Sequence, residues 1–270
     1  MNMSVKNTGD VGRVILERFG AVAQLTLSRP SALNAISWEM YEQLEKHLTT
    51  LADDTTTRVL VIRGGGDKAF AAGTDINQFK DFTGQDGLDY ESKMDRIINK
   101  LANFPKPTIA AIHGYAIGGG MIISTACDLR YATPKARFGA PMARTLGNCL
   151  SLANYQRLVQ ELGSMRTKEL LYTSRVISAE EAFSIGFLTA IFDEEDIFQK
   201  VLDIASQISK NAPLTVGATK EALCRLNKYN GLNISEQEFD DVVSEVYGSK
   251  DFAEGVSAYL EKRSPVWRGE

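Results

Sequence analysis

Lys106-Pro107-Thr108-Ile109-Ala110-Ala111-Ile112-His113-Gly114-Tyr115-Ala116-Ile117-Gly118-Gly119-Gly120-Met121 is the stretch whose reading decides the fold. Pro105-Lys106-Pro107 stops whatever helix precedes it, because proline fixes φ and biases its predecessor away from helical geometry. The run from Thr108 to Ile112 is then short and continuously apolar, the pattern of a strand covered on both faces. Three successive glycines at 118–120 let the backbone turn sharply into an apolar helix that starts near Met121. A buried strand feeding a helix through such a turn is the unit of an α/β fold with mainly parallel pairing.

Upstream, Val59, Leu60, Val61 and Ile62 form a second continuous apolar run, ending at Gly64-Gly65-Gly66. Earlier still, Val14 to Arg18 and Ala21 to Leu27 flank Phe19-Gly20 and read as a hairpin. Ser37 is placed as the N-cap of a helix in which Tyr41, Leu44, Leu48 and Leu51 recur at three- and four-residue spacing. Between the two buried strands, residues 77–90 are polar and contain Gly84 and Gly87. They are expected to form a mobile connection or lid, closed by a helix over 91–103. Asp81, Asp86 and Tyr90 belong to that segment, where an acid can swing over a ligand, although a solvated loop is the simpler reading.

Downstream, Leu129 to Ala132 reads as another short strand, and helical periodicity dominates from Leu150. Phe252, Val256 and Leu260 line one face of a last helix, which needs cover from the chain's own core or from a neighbouring subunit. The expected organisation is a core over residues 1–200 followed by a helical region over 201–270 that serves oligomerisation and covers the site.

With 270 residues, 44% of them hydrophobic, the chain can bury a large core. Its 30 Lys and Arg against 34 Asp and Glu leave a net charge of -4, which offers nucleic acid no basic field. Cys127, Cys149 and Cys224 make no CxxC pair, so neither a disulfide framework nor a zinc site is indicated, and a reducing cytoplasm fits. No stretch reaches the roughly 18 uninterrupted apolar residues of a membrane span, so no membrane partner is expected.

Two glycine-containing junctions follow the two buried strands, and both put backbone N–H groups at the carboxyl edge of a sheet, where ligands commonly bind. The first is Ala69-Phe70-Ala71-Ala72-Gly73-Thr74-Asp75-Ile76, and the second runs from His113 to Gly120. Unpaired amides at a helix N-terminus carry partial positive charge and stabilise a developing oxyanion. The competing reading of the second junction is a turn that only allows close packing, or a dinucleotide loop. The dinucleotide loop fails because the ribose-binding acid expected about 20 residues later is not clearly present.

The two junctions in this order, with Lys106-Pro107 before the second, resemble the crotonase superfamily, also called the enoyl-CoA hydratase/isomerase family. The resemblance begins at Arg29-Pro30-Ser31-Ala32-Leu33-Asn34-Ala35 and passes through Ala71-Ala72-Gly73-Thr74-Asp75. It is densest from Lys106 to Asp128, continues through Ala136-Arg137-Phe138-Gly139-Ala140-Pro141, and ends in the segment from Glu254 to Arg263. It implies a ClpP/crotonase-like spiral of ββα units, a coenzyme A site for an acyl-CoA substrate, and a homotrimer or dimer of trimers. It implies no metal and no cofactor beyond the coenzyme A of the substrate. Matched residue by residue, the oxyanion hole falls on the N–H groups of Thr74 and Gly119. Adenine and pantetheine contacts fall around Ser31, Ala32, Leu33, Ala71, Gly73, Asp75 and Ile76, with Asp75 equally suited to capping the turn that follows it. Tyr259 and Lys262 match C-terminal positions that reach a neighbouring subunit's coenzyme.

The chain departs from the family's hydratases at the two glutamates they use to add water across a double bond: those positions read Ile122 and Met142. Neither side chain moves a proton, and general acid–base catalysis commonly contributes about 10²–10⁴-fold, so hydration by that route is expected to be impaired. Cys149 follows Gly147-Asn148 where related dehalogenases carry a nucleophilic aspartate, which makes a thiolate nucleophile conceivable, although most such cysteines are inert packing. Arg144 and Asn148 suit a polar acyl group or merely a polar loop, Tyr155 suits helix packing, His113 and Asp128 read as structural, and His47 falls on the exposed side of the first helix with no functional role. The expected activity is therefore that of a lyase or isomerase acting through an enolate. Decarboxylation or hydrolysis of an acyl-CoA, and non-catalytic acyl-CoA binding, stand as alternatives.

Overall fold

The computed structural model describes residues 10–79, 82–229 and 239–270. The hairpin forms as read: β1 (Arg13–Phe19) and β2 (Val22–Ser28) pair antiparallel, with Arg13 opposite Ser28 and Phe19 opposite Val22. Helix α1 (Trp38–Asp53) starts at Ser37, whose hydroxyl accepts the Met40 N–H at 3.2 Å, and it buries Tyr41, Leu44, Leu48 and Leu51.

From there the chain repeats one move three times. Strands β3 (Val59–Gly64) and β4 (Ala69–Ala71) lead into α2 (Gly84–Ala102). Next, β5 (Thr108–Ile112) and β6 (Tyr115–Ile117) lead into α3 (Gly119–Thr125), and β7 (Leu129–Ala132) and β8 (Arg137–Gly139) lead into α4 (Leu152–Leu162). Two short strands, β9 (Ile177–Ser178) and β10 (Ala190–Ile191), complete the sheets. The first strand of each pair enters a six-stranded sheet of order β1-β2-β3-β5-β7-β10, and the second enters a four-stranded sheet of order β4-β6-β8-β9. Pairing is parallel from β2 to β10 and from β4 to β8. This is the ββα spiral that the family resemblance implied. The step between the sheets depends on Gly114, which has φ +57° and whose added Cβ would lie 1.9 Å from the Lys68 carbonyl oxygen. No residue with a side chain fits there.

The uninterrupted apolar strands are explained by burial on both faces. Val59, Val61, Ile109 and Ala111 pack with Ile197, Val201 and Ala205 of α7 (Ile197–Ser209). The alternate residues Leu60, Ile62, Ala110 and Ile112 belong to the main core with α1, α2 and α3. At about 1.5–3 kcal/mol per fully buried large apolar side chain, this double layer makes the six-stranded sheet the rigid base of the molecule. Because α7 packs on that sheet through Ile197, Val201 and Ala205, contacts with the sheet continue past residue 200.

Residues 84–90, expected as part of a mobile connection or lid, are instead the first turns of α2. Thr83 and Asp86 form a capping box, in which the Thr83 hydroxyl accepts the Asp86 N–H at 3.3 Å and the Asp86 carboxylate accepts the Thr83 N–H at 2.8 Å. Satisfying two orphan donors at once outweighs the entropic cost of Gly84 and Gly87 in a helix. Asp86 is thus held at an exposed cap, and Asp81 lies outside the described residues. The region after Leu150 is helical as read, except that β9 and β10 interrupt it, through α5 (Ser164–Thr173), α6 (Ala179–Ser184), α8 (Pro213–Tyr229), α9 (Asp240–Tyr247) and α10 (Lys250–Glu261). Helix α10 buries Asp251 and Ala258 and leaves Phe252, Val256 and Leu260 exposed in the single chain.

Candidate active site

The parallel bridge between Ile36 and Thr74 sets the first junction. Ile36 N–H donates to the Gly73 carbonyl at 2.8 Å and Asp75 N–H donates to the Ile36 carbonyl at 3.0 Å. In a parallel ladder this alternation leaves the intervening Thr74 N–H pointing away from the bridge. In the second junction Gly119 is the first residue of α3, so its N–H has no intrahelical acceptor. The two junctions converge: a Cβ built on Gly119 would lie 3.6 Å from the Thr74 nitrogen, and one built on Gly118 would lie 3.6 Å from the Gly73 Cα. The approach is possible because Gly120 packs against the Ala71 carbonyl oxygen, which any Cβ would meet at 2.1 Å.

Two phenols fix the junction from the side. The Thr74 hydroxyl is 2.9 Å from the Tyr41 hydroxyl and 3.1 Å from that of Tyr90, so α1 and α2 both grip the same residue. Burial raises the Tyr41 phenol far above its ordinary range and pushes Tyr90 up to about 12, which keeps both protonated as hydrogen-bonding groups. Trp38 and Phe79 meet the Tyr90 ring edge-on, with centroids 5.4 and 4.9 Å away. This aromatic group fences the site on the α2 side.

The amides open into a cavity of about 300 Å³. Gly73, Thr74, Gly118 and Gly119 form one end, and Met94, Ile98, Ile122, Met142 and Leu146 supply apolar walls. Ile122 and Met142 therefore face the same cavity as the two amides. A larger cavity of about 760 Å³ lies between α8 and the turn after α3, away from both amides.

A match to the family model described as enoyl-CoA hydratase/isomerase extends over residues 17–270. The chain belongs to the enoyl-CoA hydratase/isomerase family. It is 30% identical to a short-chain-enoyl-CoA hydratase of Clostridium acetobutylicum over 254 residues, covering 94% of this chain and 97% of that protein. It is 31% identical to the 2,3-dehydroadipyl-CoA hydratase of Escherichia coli, covering 96% of this chain and all of the relative. Among solved structures, an enoyl-CoA hydratase/carnithine racemase from Magnetospirillum magneticum superposes with a TM-score of 0.89 at 29% identity, covering 97% of each chain.

Within this family member the remaining candidates fall in several places. Ile76 lines the cavity and is exposed, while Ala71 is buried beneath it in β4. Leu33 is joined to the same junction through its carbonyl, which accepts the Ala72 N–H at 3.0 Å, and it lies with Ser31 along an adjoining cleft, next to Ala32. The Asp75 carboxylate caps its turn by accepting the Asn77 N–H at 3.1 Å and pairs with Arg29 at 2.7 Å. Asn148 lines the cavity, whereas Cys149 is exposed and is not among the described residues that line it. Arg144 is likewise exposed. The Tyr155 hydroxyl accepts a long contact from the Leu150 N–H, at 3.4 Å. Asp128 is structural, accepting from Thr108 and Lys220. His47 is half-buried rather than on an exposed face, with its ring nitrogen 3.2 Å from the Val14 carbonyl. Tyr259 and Lys262 sit at the exposed end of α10 and do not line this cavity.

One cavity group was missed by the sequence reading. Glu91 lines the cavity beside Tyr90, half-buried, and its carboxylate accepts the Ser151 N–H at 2.8 Å. Burial raises its pKa and the charge of Asp95 adds to the effect, while the Ser151 N–H opposes it. A signal was present: Glu91, Met94, Ile98 and Leu101 fall on one helical face, and the other three are buried. A carboxylate inside an apolar stripe is out of place unless it serves a site.

Proposed function

We propose that the cavity takes the acyl end of a coenzyme A thioester, whose carbonyl oxygen accepts hydrogen bonds from Thr74 and Gly119. The observation that carries this reading is the 3.6 Å approach of the Gly119 Cβ direction to the Thr74 nitrogen, with neither N–H donating to a backbone carbonyl among the described residues. When an adjacent carbon loses a proton or another substituent, charge moves onto that oxygen, and preorganised donors stabilise it most in the transition state. Each such donor is worth about 2.7–4 kcal/mol in comparable sites. The relatives named for hydration of enoyl-CoA and dehydroadipyl-CoA support the thioester as the substrate class.

With Ile122 and Met142 in the wall, water addition through a pair of family glutamates has no proton carriers at those positions. The reading is therefore an enzyme that forms an enolate-type intermediate, on the isomerase or lyase side of the family. The coenzyme's pantetheine and adenine run over Ile76 and along the loop of Ser31, Ala32 and Leu33. The exposed stripe of Phe252, Val256 and Leu260 supports burial against a second copy, with Tyr259 and Lys262 at that contact.

Titration calorimetry with crotonyl-CoA tests the site. The wild-type chain binds, and Gly119→Val does not, because its side chain projects toward Thr74 and Tyr41. Equal binding by the variant overturns the assignment of the two amides.

A further inference from the structure

We propose that Glu91 is the catalytic acid–base residue of this cavity, moving a proton between two carbons of an unsaturated acyl chain whose thioester oxygen is held by Thr74 and Gly119. This rests on the thioester reading above. In the step, the Glu91 carboxylate takes the proton from the carbon next to the thioester carbonyl. The C–H electron pair becomes a double bond to the carbonyl carbon, and the negative charge settles on the oxygen between the two amides. The carbonyl then re-forms, the double bond shifts by one position, and the neutral carboxyl returns its proton to the carbon two atoms further along. One C–H bond breaks and one forms, with no oxidant and no leaving group.

Geometry supplies the first support. Glu91 projects from α2 into the cavity that ends at the two amides, one residue after Tyr90, which bonds Thr74. The Glu91 charge is close enough to Tyr41 and Tyr90, the two phenols on Thr74, to raise both. The carboxylate is also held in a fixed pose: Oε2 accepts the Ser151 N–H at the start of α4, and among the described residues Oε1 accepts nothing. One oxygen is anchored and the other is available to a ligand.

The environment also suits proton transfer. No described lysine or arginine pairs with Glu91, so its charge is not neutralised by a partner. The groups that face it are Tyr41 from α1, Tyr90 and Asp95 from its own helix, and Ser151 with Asn154 from α4. A raised carboxyl is a stronger base than an ordinary one and still gives its proton back. Finally, among the described residues the cavity lining carries no acid other than Glu91. A 1,3-proton shift needs one carrier on one face of the chain, whereas adding water requires a proton to leave the water while another is delivered to the neighbouring carbon.

The bland alternative is that Glu91 only secures the start of α4. That start is already capped, because the Ser151 hydroxyl accepts the Asn154 N–H at 3.2 Å. The experiment uses the full chain in D₂O with 3-butenoyl-CoA and crotonyl-CoA, following deuterium uptake and double-bond position by mass spectrometry and affinity by calorimetry. The wild type interconverts the two and incorporates deuterium. Glu91→Gln binds as tightly but exchanges about 10²–10⁴-fold more slowly. Glu91→Asp keeps part of the rate and moves the midpoint of the pH–rate profile, which a capping role would leave in place. Exchange by Glu91→Gln at the wild-type rate overturns the proposal, as does a wild type that binds and exchanges nothing. Failure of the wild type to bind either thioester overturns the thioester reading first, and so separates the two failures.

Discussion

The Tyr41 hydroxyl lies 2.9 Å from the Thr74 hydroxyl, and it is also the atom that a Cβ on Gly119 would strike at 2.7 Å. One phenol from α1 therefore sets both the pose of the first amide loop and the room available to the second. The consequence is testable. Gly119→Ala should lower turnover by about 10²-fold, the cost of displacing a reacting group by around an ångström. Combining it with Tyr41→Phe, which removes the obstructing oxygen, should recover part of the loss in kcat. No recovery would mean that the obstruction is not at Tyr41.

Thr74 should be sensitive to shape as well as polarity. Thr74→Val leaves the Tyr41 and Tyr90 hydroxyls without their shared partner in a buried setting, at a cost of about 1–3 kcal/mol. Thr74→Ser keeps the oxygen and should unfold close to wild type in a urea titration. Equal midpoints for the valine and serine variants would show that the phenols find other partners.

The capping box at Thr83 and Asp86 should control the cavity from a distance. Thr83→Ala removes the side-chain acceptor and should cost about 0.5–2 kcal/mol. The loss should concentrate in the first turns of α2, which carry Tyr90 and Glu91. Hydrogen exchange resolved to residues 84–91 reads this directly, and unaltered protection there would contradict it.

His113 predicts the acid limb of stability. Burial, followed by the nearby Arg63 charge, pushes its pKa down to about 4. The folded state therefore holds this imidazole neutral while the unfolded chain still takes up a proton. Stability is unaffected above about 6.5, falls as pH drops from there toward 4, and flattens below. The total contribution is on the order of 3 kcal/mol. Denaturant midpoints at pH 7 and pH 4.5 should move less for His113→Asn than for the wild type. Equal movement would place the acid sensitivity elsewhere.

The fold class and the two glycine junctions were legible before the structure. The order of apolar run and glycine junction, occurring twice, marked two strand ends as places where amides are left unpaired, because strand ends and helix starts have local residue signatures; the resemblance to the family singled out Thr74 and Gly119 within them. Ser37 was legible for the same reason, since a cap is made within one turn. The first turns of α2 were not read, although Thr83 and Asp86 carry the capping-box spacing, because Gly84 and Gly87 outweighed it. That error of seven residues hid Glu91, whose meaning depends on the phase of the helix it sits on. The position of Cys149 relative to the cavity could not be read at all, since in an irregular segment neighbouring residues face different ways.

By itself the sequence determined the alternation of strands and helices, the burial on both faces of the strands at 59–62 and 108–112, and the two places where amides are left unpaired. These follow from apolar periodicity and from backbone groups whose partners lie within a few residues. Only the tertiary structure decided that the two amide loops meet, that Tyr41 and Tyr90 bond one hydroxyl between them, and that a carboxylate from α2 enters the same cavity. Each of those depends on the packing of three helices against two sheets, and distances across such packing are fixed by side-chain volume summed over the whole core rather than by any local run of residues.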